Sequence, residues 1–485
     1  MIAEVELKKV KTANFKHLIP FSFKEIEGDY LLVSDTGRYA YVSPEQFKGL
    51  MEKGVREGTE LYDLLLSRQM LFTPKNSDVV ASDKFRQQVV VASRRTGLHI
   101  MVVTGRCNLS CIYCQAGASP AGQTELDMTP ITAKSVILTM FTSPVQTLTL
   151  EFQGGEPLLN WETVQFSIEY ARELEKQSQR KLFITLVSNF TLMDREKVEY
   201  LAKNGVSLCA SLDGPAHVHN RNRGKNHARV VENYKLAQEI YADLCPEKLP
   251  SLLPTITKHS LPYAKDIVDQ YVELNCRGIF IRPLTTLGNS RKAWDDAGIS
   301  PEEFLPFYDE VMEYIIDLNK KGVTVSETQS TFMLNKILDG KAYGYVDLCS
   351  PCGAARGQIA YNYDGKIYPC DEARMLAHCG DDSFCIGEAG QNSYSELLNH
   401  PVSQSLAAAT ILDSLPGCSI CAYRPYCGVC PIMHYADTGD IFTNIYFDRR
   451  HRILEGMFDR LFKYLKNAEI EAIFRKWTAD QPNTY

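Results

Sequence analysis

The chain has 485 residues, of which 45% are hydrophobic, and a formal net charge of −7. A chain of this length can bury a large core and is expected to form about two to four structural units. The acidic balance, with no long basic stripe, argues against nucleic acid as a partner. No apolar run is long enough to span a membrane and no signal-peptide pattern is present, so we expect a cytoplasmic protein with no membrane partner.

Residues 1–95 are predicted to form a small module of a β-hairpin and two helices. Two β-rich runs, 29–34 and 38–42, flank a turn that contains Gly37. Ser43, Pro44 and Gln46 have the pattern of a helix N-cap with a capping box, and a second short helix is predicted near 60–68. This outline resembles the winged-helix-like elements that recognise leader peptides in peptide-modifying enzymes. A lid or packing extension of the main domain is the alternative.

The 15 cysteines are concentrated in residues 107–114 and 349–430. In a cytosolic protein this distribution indicates metal or redox clusters rather than disulfides. Cys107, Cys111 and Cys114 follow an apolar, β-branched run, so their thiols are expected on one loop after a buried strand. Three thiolates can hold a [4Fe–4S] cube and leave its fourth iron open, with Tyr113 as an aromatic wall beside it. A zinc knuckle or three unrelated buried cysteines is the alternative.

Residues 96–335 alternate predicted strands and helices. Six successive β-α units imply a parallel sheet with right-handed crossovers, and six are too few to close an eight-stranded barrel. We therefore predict an α/β fold, a partial (β/α)6 barrel, with functional residues where the strands end. The predicted strands are 98–104, 147–152, 182–187, 206–212, 252–257 and 278–283, and the clearest helices are 161–177, 195–203, 229–241 and 263–274.

Polar residues follow the second, third and fourth of these strands. Two adjacent glycines let the backbone approach a ligand closely, and a glutamate beside them can accept hydrogen bonds from an ammonium group. The serine and asparagine after the third strand suit ribose hydroxyls or a carboxylate. The candidates are Gln153, Gly154, Gly155, Glu156, Ser188, Asn189, Ser211, Asp213 and Arg223.

The C-x3-C-x2-C loop followed by Gly-Gly-Glu-Pro resembles the signature of the radical S-adenosylmethionine (radical SAM) enzymes. In that family the open iron chelates the cofactor's amino and carboxylate groups, and an electron from the cube cleaves the cofactor to a 5′-deoxyadenosyl radical. The resemblance implies that residues 153–156 bind the cofactor, with Glu156 on its amino group. It makes Ser211 a further cofactor contact, Arg223 a candidate partner for the carboxylate, and Asp213 a candidate catalytic residue near the substrate. A capped strand end or a surface turn is the alternative for each.

Residues 340–455 are predicted to form a second, cysteine-rich domain, and 456–485 a C-terminal helix. A zinc site is one interpretation, although the gap between the cysteine pairs is below the usual zinc-ribbon separation of about 15–20 residues. The C-x9–15-G-x4-C and C-x2-C-x5-C elements instead resemble the SPASM domain, which binds auxiliary [4Fe–4S] clusters in peptide-modifying radical SAM enzymes. By that resemblance one auxiliary cluster takes Cys349, Cys352, Cys370 and Cys430, and the other takes Cys418, Cys421 and Cys427.

The sequence departs from the SPASM pattern in two ways. The spacing before the sixth cysteine is x2 where the family usually has x3, and no cysteine follows Cys430. His451 stands about where the final cysteine is expected, and imidazole ligates iron in some [2Fe–2S] centres. A predicted helix at 453–465 with one apolar face would hold it rigidly. Cys379 and Cys385 are competing ligands, and an exposed surface histidine is the alternative.

Several sequence segments are similar to those of the maturases of His-Xaa-Ser-repeat peptide systems. They are residues 99–100, 151–159, 211–223, 345–348 and 361–365. The resemblance implies an enzyme that abstracts hydrogen from a side chain of a ribosomally made precursor peptide, leading to a crosslink or similar modification. Its expected partners are that peptide and an electron donor such as a flavodoxin or ferredoxin. The alternatives are sulfatase-maturase-like oxidation of a serine or cysteine on a protein, and a non-catalytic iron–sulfur or zinc scaffold.

Overall fold

A computed structural model describes residues 17–73, 95–340 and 348–479. Residues 345–347 of the sequence segment 345–348 therefore lie outside the described residues, as do the outer parts of the predicted N- and C-terminal segments. The strands are β1 (Phe21–Ile26), β2 (Asp29–Ser34), β3 (Tyr39–Val42), β4 (Leu98–Val102), β5 (Arg106–Cys107), β6 (Ser119–Pro120), β7 (Thr147–Gln153), β8 (Lys181–Ser188), β9 (Val206–Ser211), β10 (Ser251–Leu253), β11 (Gly278–Ile279), β12 (Ser326–Glu327), β13 (Gln358–Tyr361), β14 (Lys366–Tyr368) and β15 (Gly387–Glu388).

The helices connect and cover these strands. They are α1 (Pro44–Lys53), α2 (Glu60–Ser67), α3 (Pro130–Met140), α4 (Trp161–Ser178), α5 (Arg195–Lys203), α6 (Ala216–Arg223), α7 (His227–Leu244), α8 (Ala264–Glu273), α9 (Trp294–Ala297), α10 (Pro301–Lys320), α11 (Thr328–Asp339), α12 (Asp371–His378), α13 (Tyr394–Asn399), α14 (Pro401–Ala408), α15 (Pro431–Thr438), α16 (Arg449–Tyr464) and α17 (Ala468–Ala479). Within the described residues, no helix is long and apolar enough to cross a membrane.

The N-terminal module is an antiparallel sheet of β1, β2 and β3 with two helices. The predicted hairpin is confirmed, since β2 pairs with β3, and so is the capping box of Ser43 and Gln46 at the start of α1. β1, which the sequence analysis did not predict, pairs with the other edge of β2. Successive side chains of β2 point to opposite faces, so Leu31 joins the main core while Leu32 packs under the module's own helices.

This module is packed against the C-terminal part of the chain. The Lys24 ammonium lies 2.8 Å from a carboxylate oxygen of Glu455 in α16, and the Tyr426 hydroxyl donates a 2.8 Å hydrogen bond to the carbonyl of Gly37. Arg424 also pairs with Asp35. Because Arg424 and Tyr426 lie between Cys421 and Cys427, these contacts seat the module beside the loop that carries Cys418, Cys421 and Cys427.

The main sheet has the order β10-β9-β8-β7-β4-β13-β14-β15. Its first six strands in this order, from β10 to β13, run parallel to one another. The architecture is a partial barrel with helices on its outer face, as predicted. Five predicted strands are confirmed in it, but the fifth is shorter than predicted, because Pro254 has no backbone N–H to continue the ladder after Leu253.

The sixth predicted strand, 278–283, is only partly formed. β11 covers its first two residues and pairs with β12, outside the main sheet. Further along, Ile256 and Pro283 form a single parallel bridge, with Ile256 N donating to Arg282 O at 2.9 Å. The segment therefore follows the end of the fifth strand without a continuous ladder.

The second cysteine-rich region continues the barrel sheet. β13 pairs in parallel with β4, placing Ile359 opposite His99. β14 and β15 then extend the sheet in the antiparallel sense. The predicted helix at 453–465 is present as α16, which begins at Arg449, and its apolar face is buried as predicted; α17 follows it.

Candidate active site and cysteine clusters

Cys107, Cys111 and Cys114 lie on one loop after β4, fixed by backbone hydrogen bonds to two other segments. Ile112 N donates to the carbonyl of Asn222 at the end of α6 (3.0 Å), and Asn289 N donates to the carbonyl of Cys114 (2.9 Å). Ala118 N donates to Cys114 Sγ at 3.4 Å and Leu109 N to Cys107 Sγ at 3.4 Å. Amide donors aimed at sulfur favour thiolates, the form that binds iron.

Burial makes the thiols of Cys107 and Cys111 poor acids on their own. It raises the pKa of Cys107 to about 12, with a further contribution from the charge of Glu156. Burial also raises the pKa of Cys111 to about 11, against the opposing effect of Arg223. A metal that replaces the protons removes this cost, so the donor set fits an iron–sulfur cluster.

An ion pair missed in the sequence analysis supports the start of this loop. The Arg106 guanidinium bonds both carboxylate oxygens of Asp127, at 2.8 Å and 2.6 Å, and also donates to the carbonyls of Ala121 (2.7 Å) and Leu159 (3.0 Å). Thr104 Oγ1 donates to the same carboxylate at 2.6 Å. The contact spans 21 residues, and no local sequence signal indicates it.

Gly154 and Gly155 are glycines because the backbone beside them is too close for a side chain. A Cβ on Gly154 would lie 2.6 Å from the Thr104 carbonyl oxygen, and one on Gly155 would lie 2.2 Å from that of Arg106. The same segments are joined by hydrogen bonds of 2.9 Å from Gly155 N to Thr104 O and from Glu156 N to Arg106 O. The close approach is thus to the residues that precede the cysteine loop.

Glu156 is fully buried at the centre of a polar network. Its Oε1 accepts hydrogen bonds from Leu158 N (3.1 Å) and Ser188 Oγ (2.8 Å), and its Oε2 accepts one from Asn189 N (2.8 Å). Burial raises the pKa of Glu156 to about 7 in spite of these donors. One acceptor position of the carboxylate is left, which suits a single further donor such as an ammonium group.

The predicted cofactor contacts Ser188 and Asn189 are therefore brought together with Glu156. Asn189 Nδ2 also donates to Asn108 Oδ1 at 2.9 Å and lies 3.8 Å from Cys107 Sγ. The predicted Gln153 donates to Glu151 Oε1 at 2.7 Å, inside the barrel. Ser211 is half-buried at the end of β9, opposite Leu253.

Asp213, Tyr113 and Arg223 form a second buried network. Asp213 is fully buried: its Oδ2 accepts from Tyr113 OH at 2.7 Å, and its Oδ1 lies 3.0 Å from Arg223 Nε. The Arg223 guanidinium lies 5.3 Å from the centre of the Tyr113 ring. Asp213 also accepts hydrogen bonds from Asn222 Nδ2 (3.1 Å) and Thr255 N (3.0 Å). Its carboxylate thus connects the cysteine loop, α6 and the end of β10.

Residues 101–245 match the Radical SAM superfamily. This part of the chain is a radical SAM domain. The superfamily uses a [4Fe–4S] cluster and S-adenosylmethionine, and these are the cofactors of the domain.

Known proteins resemble the chain beyond the radical SAM domain. A cysteine-type anaerobic sulfatase-maturating enzyme of Clostridium perfringens is 24% identical over 285 residues, which is 56% of this chain and 74% of the relative. The structure of native anSMEcpe with bound AdoMet has a TM-score of 0.63 at 20% identity, covering 76% of this chain and 99% of that one. The structure of Streptococcus suis SuiB bound to precursor peptide SuiA has a TM-score of 0.52 at 13% identity, covering 86% and 96%. The shared fold therefore includes much of the chain outside the radical SAM domain.

The remaining predicted ligands lie in two separate groups. Cys352, Cys370 and Cys430 belong to one apolar cluster, and Cys370 has its pKa raised by burial and then by Glu372 and the other two thiols. Cys349 is buried three residues before Cys352. Cys418, Cys421 and Cys427 form the other group: burial, followed by Cys427 and Cys421, raises the pKa of Cys418 to about 12.

The structure also locates the predicted ligand His451 and its two competitors, Cys379 and Cys385. His451 is in the first turn of α16, with its Nε2 3.6 Å from Glu455 Oε2. Cys379 is exposed, and its sulfur would lie 3.1 Å from a Cβ at Gly117 in the radical SAM domain. Cys385 Sγ lies 3.6 Å from the carbonyl of Gly387. Among the residues that the structure describes, no three His, Cys, Asp or Glu side chains converge on the position of one metal ion. A cubane cluster binds each ligand to a different iron, so its ligands stand further apart.

Proposed function

We propose that the chain is a radical SAM enzyme that modifies a side chain of a ribosomally made precursor peptide, leading to a crosslink or similar change. The observation that carries the proposal is the extent of the fold shared with SuiB, 86% of this chain, because that structure holds the precursor peptide SuiA. Two further cysteine groups and an N-terminal module accompany the radical SAM domain, as the proposal requires.

A cleft between the radical SAM domain and the second cysteine region offers a place for the peptide. The Arg449 guanidinium lies 4.0 Å from the Trp294 ring centre and 3.2 Å from an Asp437 carboxylate oxygen. Trp294 also packs in the same cluster as Tyr113, so the cleft adjoins the cysteine loop. Its lining includes Arg282, Thr285, Trp294, Met433, Asp437 and Arg449.

When bound, the cluster and S-adenosylmethionine supply a 5′-deoxyadenosyl radical that takes a hydrogen atom from a substrate carbon. The chain's own residues prepare for this chemistry. Cys107, Cys111 and Cys114 would hold the cluster, and Glu156 would accept a hydrogen bond from the cofactor's ammonium group. Burial of both polar networks keeps water from these groups. We further propose that Cys349, Cys352, Cys370 and Cys430 hold one auxiliary cluster, that Cys418, Cys421 and Cys427 hold a second, and that a flavodoxin or ferredoxin supplies electrons.

Oxidation of a serine or cysteine on a protein is a second candidate function. Its support is the 24% identity to the sulfatase-maturating enzyme, together with the likeness to anSMEcpe bound to the Kp18Cys peptide at a TM-score of 0.61. A single peptide-oxidation assay can distinguish the two functions, because each predicts a different product.

The test uses the anaerobically reconstituted full chain with a precursor peptide encoded beside its gene and, separately, with a sulfatase peptide that contains the target cysteine. The proposed function predicts loss of two hydrogens from the precursor peptide, with a new covalent bond located by tandem mass spectrometry. Conversion of the sulfatase peptide alone would favour the second candidate. If neither peptide changes while the cofactor is cleaved, the proposed substrate class is wrong.

We also propose that the N-terminal module recruits the peptide. Deleting the module would remove Leu31 and expose the core residues that pack against it, so surface substitutions give the cleaner test. Phe23 in β1 is 48% exposed and stands 4.6 Å from Phe47, centre to centre, which makes an aromatic surface at the sheet edge. Phe23→Ser should weaken peptide binding by more than fivefold and leave peptide-independent cofactor cleavage unchanged. Leu66→Ser, on the exposed side of α2, is the control, and equal affinities for both variants and the wild type would make the module a packing extension.

A further inference from the structure

The end of α12 packs against the radical SAM domain on both sides of the first cysteine loop. A Cβ added at Gly105, just before the loop, would lie 2.9 Å from Cε1 of the His378 ring. One added at Gly117, just after the loop, would lie 3.2 Å from Cδ2 of the same ring. A single imidazole therefore fills the space between the two segments that flank residues 107–114.

Two neighbours of His378 each support one of these segments. Tyr363 Cε1 would lie 3.1 Å from a Cβ at Gly105, and the Tyr363 ring is edge-on to the imidazole with 6.3 Å between their centres. Cys379 Sγ would lie 3.1 Å from a Cβ at Gly117. Of these three side chains, His378 is the one that lies against both glycines, so it joins the two ends of the loop.

α12 anchors His378 in the second cysteine region. The helix begins directly after Cys370, and Ala373 is buried in the apolar cluster that contains this cysteine. Arg374, one turn before His378, is buried and pairs with Asp371 in the first turn. The packing of the whole helix therefore fixes the position of the imidazole.

The segment under the imidazole also positions the residue that is expected to bind the cofactor. Gly105 lies between Thr104, whose carbonyl accepts a hydrogen bond from Gly155 N, and Arg106, whose carbonyl accepts one from Glu156 N, both at 2.9 Å. Movement of this short segment would therefore shift Glu156 and the cysteine loop relative to each other. Support from the imidazole opposes that movement.

We propose that His378 is a positioning residue for cofactor binding, because its packing against Gly105 and Gly117 fixes the cysteine loop relative to Glu156. The second cysteine region thereby contributes to the radical SAM site through α12. The proposal requires the radical SAM domain and its cofactors. It does not depend on which peptide the enzyme modifies or on an auxiliary cluster.

His378→Ala should leave a gap between the two segments in the full chain. Hydrogen–deuterium exchange of the apo protein should be about tenfold faster at residues 105–119 and unchanged in β8. After anaerobic reconstitution with iron and sulfide, the affinity for S-adenosylmethionine in isothermal titration calorimetry should fall about tenfold, at unchanged iron content. His217→Ala, at an exposed histidine of α6, is the control and should match the wild type in all three measurements.

A double-mutant cycle tests whether the contact itself is responsible. Gly105→Ala alone should lower the affinity, because the added Cβ meets the imidazole. In Gly105→Ala/His378→Ala the methyl group enters space that the ring has left. The double variant should therefore bind S-adenosylmethionine roughly threefold more tightly than the two single effects together predict.

Wild-type exchange at residues 105–119 and wild-type affinity in His378→Ala would overturn the proposal, and so would additive effects in the double variant. Equally accelerated exchange in β8 would show a general loss of stability, which also contradicts a positioning role. None of these measurements uses a peptide, so their failure is distinguishable from failure of the proposed function.

Discussion

The phenol of Tyr113 donates a 2.7 Å hydrogen bond to Asp213, a residue 100 positions further along the chain. Arg223 lies 3.0 Å from the other oxygen of the same carboxylate. We predicted Asp213 as a catalytic residue near the substrate. Because both of its oxygens are occupied and it is fully buried, we now propose that it positions Tyr113 and Arg223 beside the cysteine loop.

Asp213→Asn should destabilise the fold strongly. It leaves the buried guanidinium of Arg223 without its counter-charge, and breaking a buried pair in this way costs about 3–5 kcal/mol. The control is Asp296→Asn, since Asp296 forms an exposed pair with Arg221 at 3.3 Å and should cost less than about 1 kcal/mol. Chemical denaturation of both apo proteins checks the difference, and equal losses would refute the positioning role.

Gly155→Ala should displace the backbone of Arg106, which directly precedes the cysteine loop. Its Cβ would lie 2.2 Å from the Arg106 carbonyl oxygen, so one of the two backbones must move, at a cost of about 1–3 kcal/mol. Gly122→Ala is the matched control, because no atom lies within 4 Å of the added Cβ. Thermal unfolding and iron incorporation are the measurements. An unchanged iron content in Gly155→Ala would mean that the two segments separate easily.

Glu156 should make the apo protein less stable as the pH rises. Its pKa is raised from 4.5 to about 7 by burial, so between these values the folded chain keeps a proton that the unfolded chain has released. The contribution of Glu156 to the free energy of unfolding is largest below about pH 4.5. It falls by roughly 3 kcal/mol at most as the pH rises to about 7. Glu156→Gln should lack this slope. Parallel stability–pH curves for the two proteins would contradict the raised pKa.

The sequence predicted those parts of the structure that depend on local patterns. The Ser43–Gln46 capping box and the apolar face of α16 were recognised because periodicity and spacing carry them. The β4–β13 pairing joins residues about 260 positions apart, and no local signal specifies it. The sixth strand was overestimated because an apolar run does not show whether a neighbouring strand is available.

The same distinction applies to the candidate site. The cysteine and glycine motifs identified the loop and its partner segment, but not that the glycines approach the chain itself. Asp448 was missed as a helix N-cap although an aspartate directly before a helical pattern is a recognised start signal.

Arg106→Lys should show how much the ion pair with Asp127 contributes to loop geometry. Lysine keeps the charge but cannot bond both carboxylate oxygens and two carbonyls together, so we expect a loss of about 2–4 kcal/mol. Arg195→Lys, at a side chain that is 58% exposed, should change stability by less than about 0.5 kcal/mol. Denaturant unfolding compares them. If Arg106→Lys lowers the free energy of unfolding no more than Arg195→Lys does, the Arg106–Asp127 pair does not stabilise the loop.

The most direct test of radical SAM chemistry is chromatographic detection of 5′-deoxyadenosine after anaerobic reconstitution with iron and sulfide and reduction with dithionite. The wild-type chain should produce it from S-adenosylmethionine. Cys111→Ala, with the two auxiliary cysteine groups intact, should give none while keeping its circular dichroism spectrum. Production of 5′-deoxyadenosine by a Cys107→Ala/Cys111→Ala/Cys114→Ala variant, or none by a wild-type chain with its cluster loaded, would contradict the account.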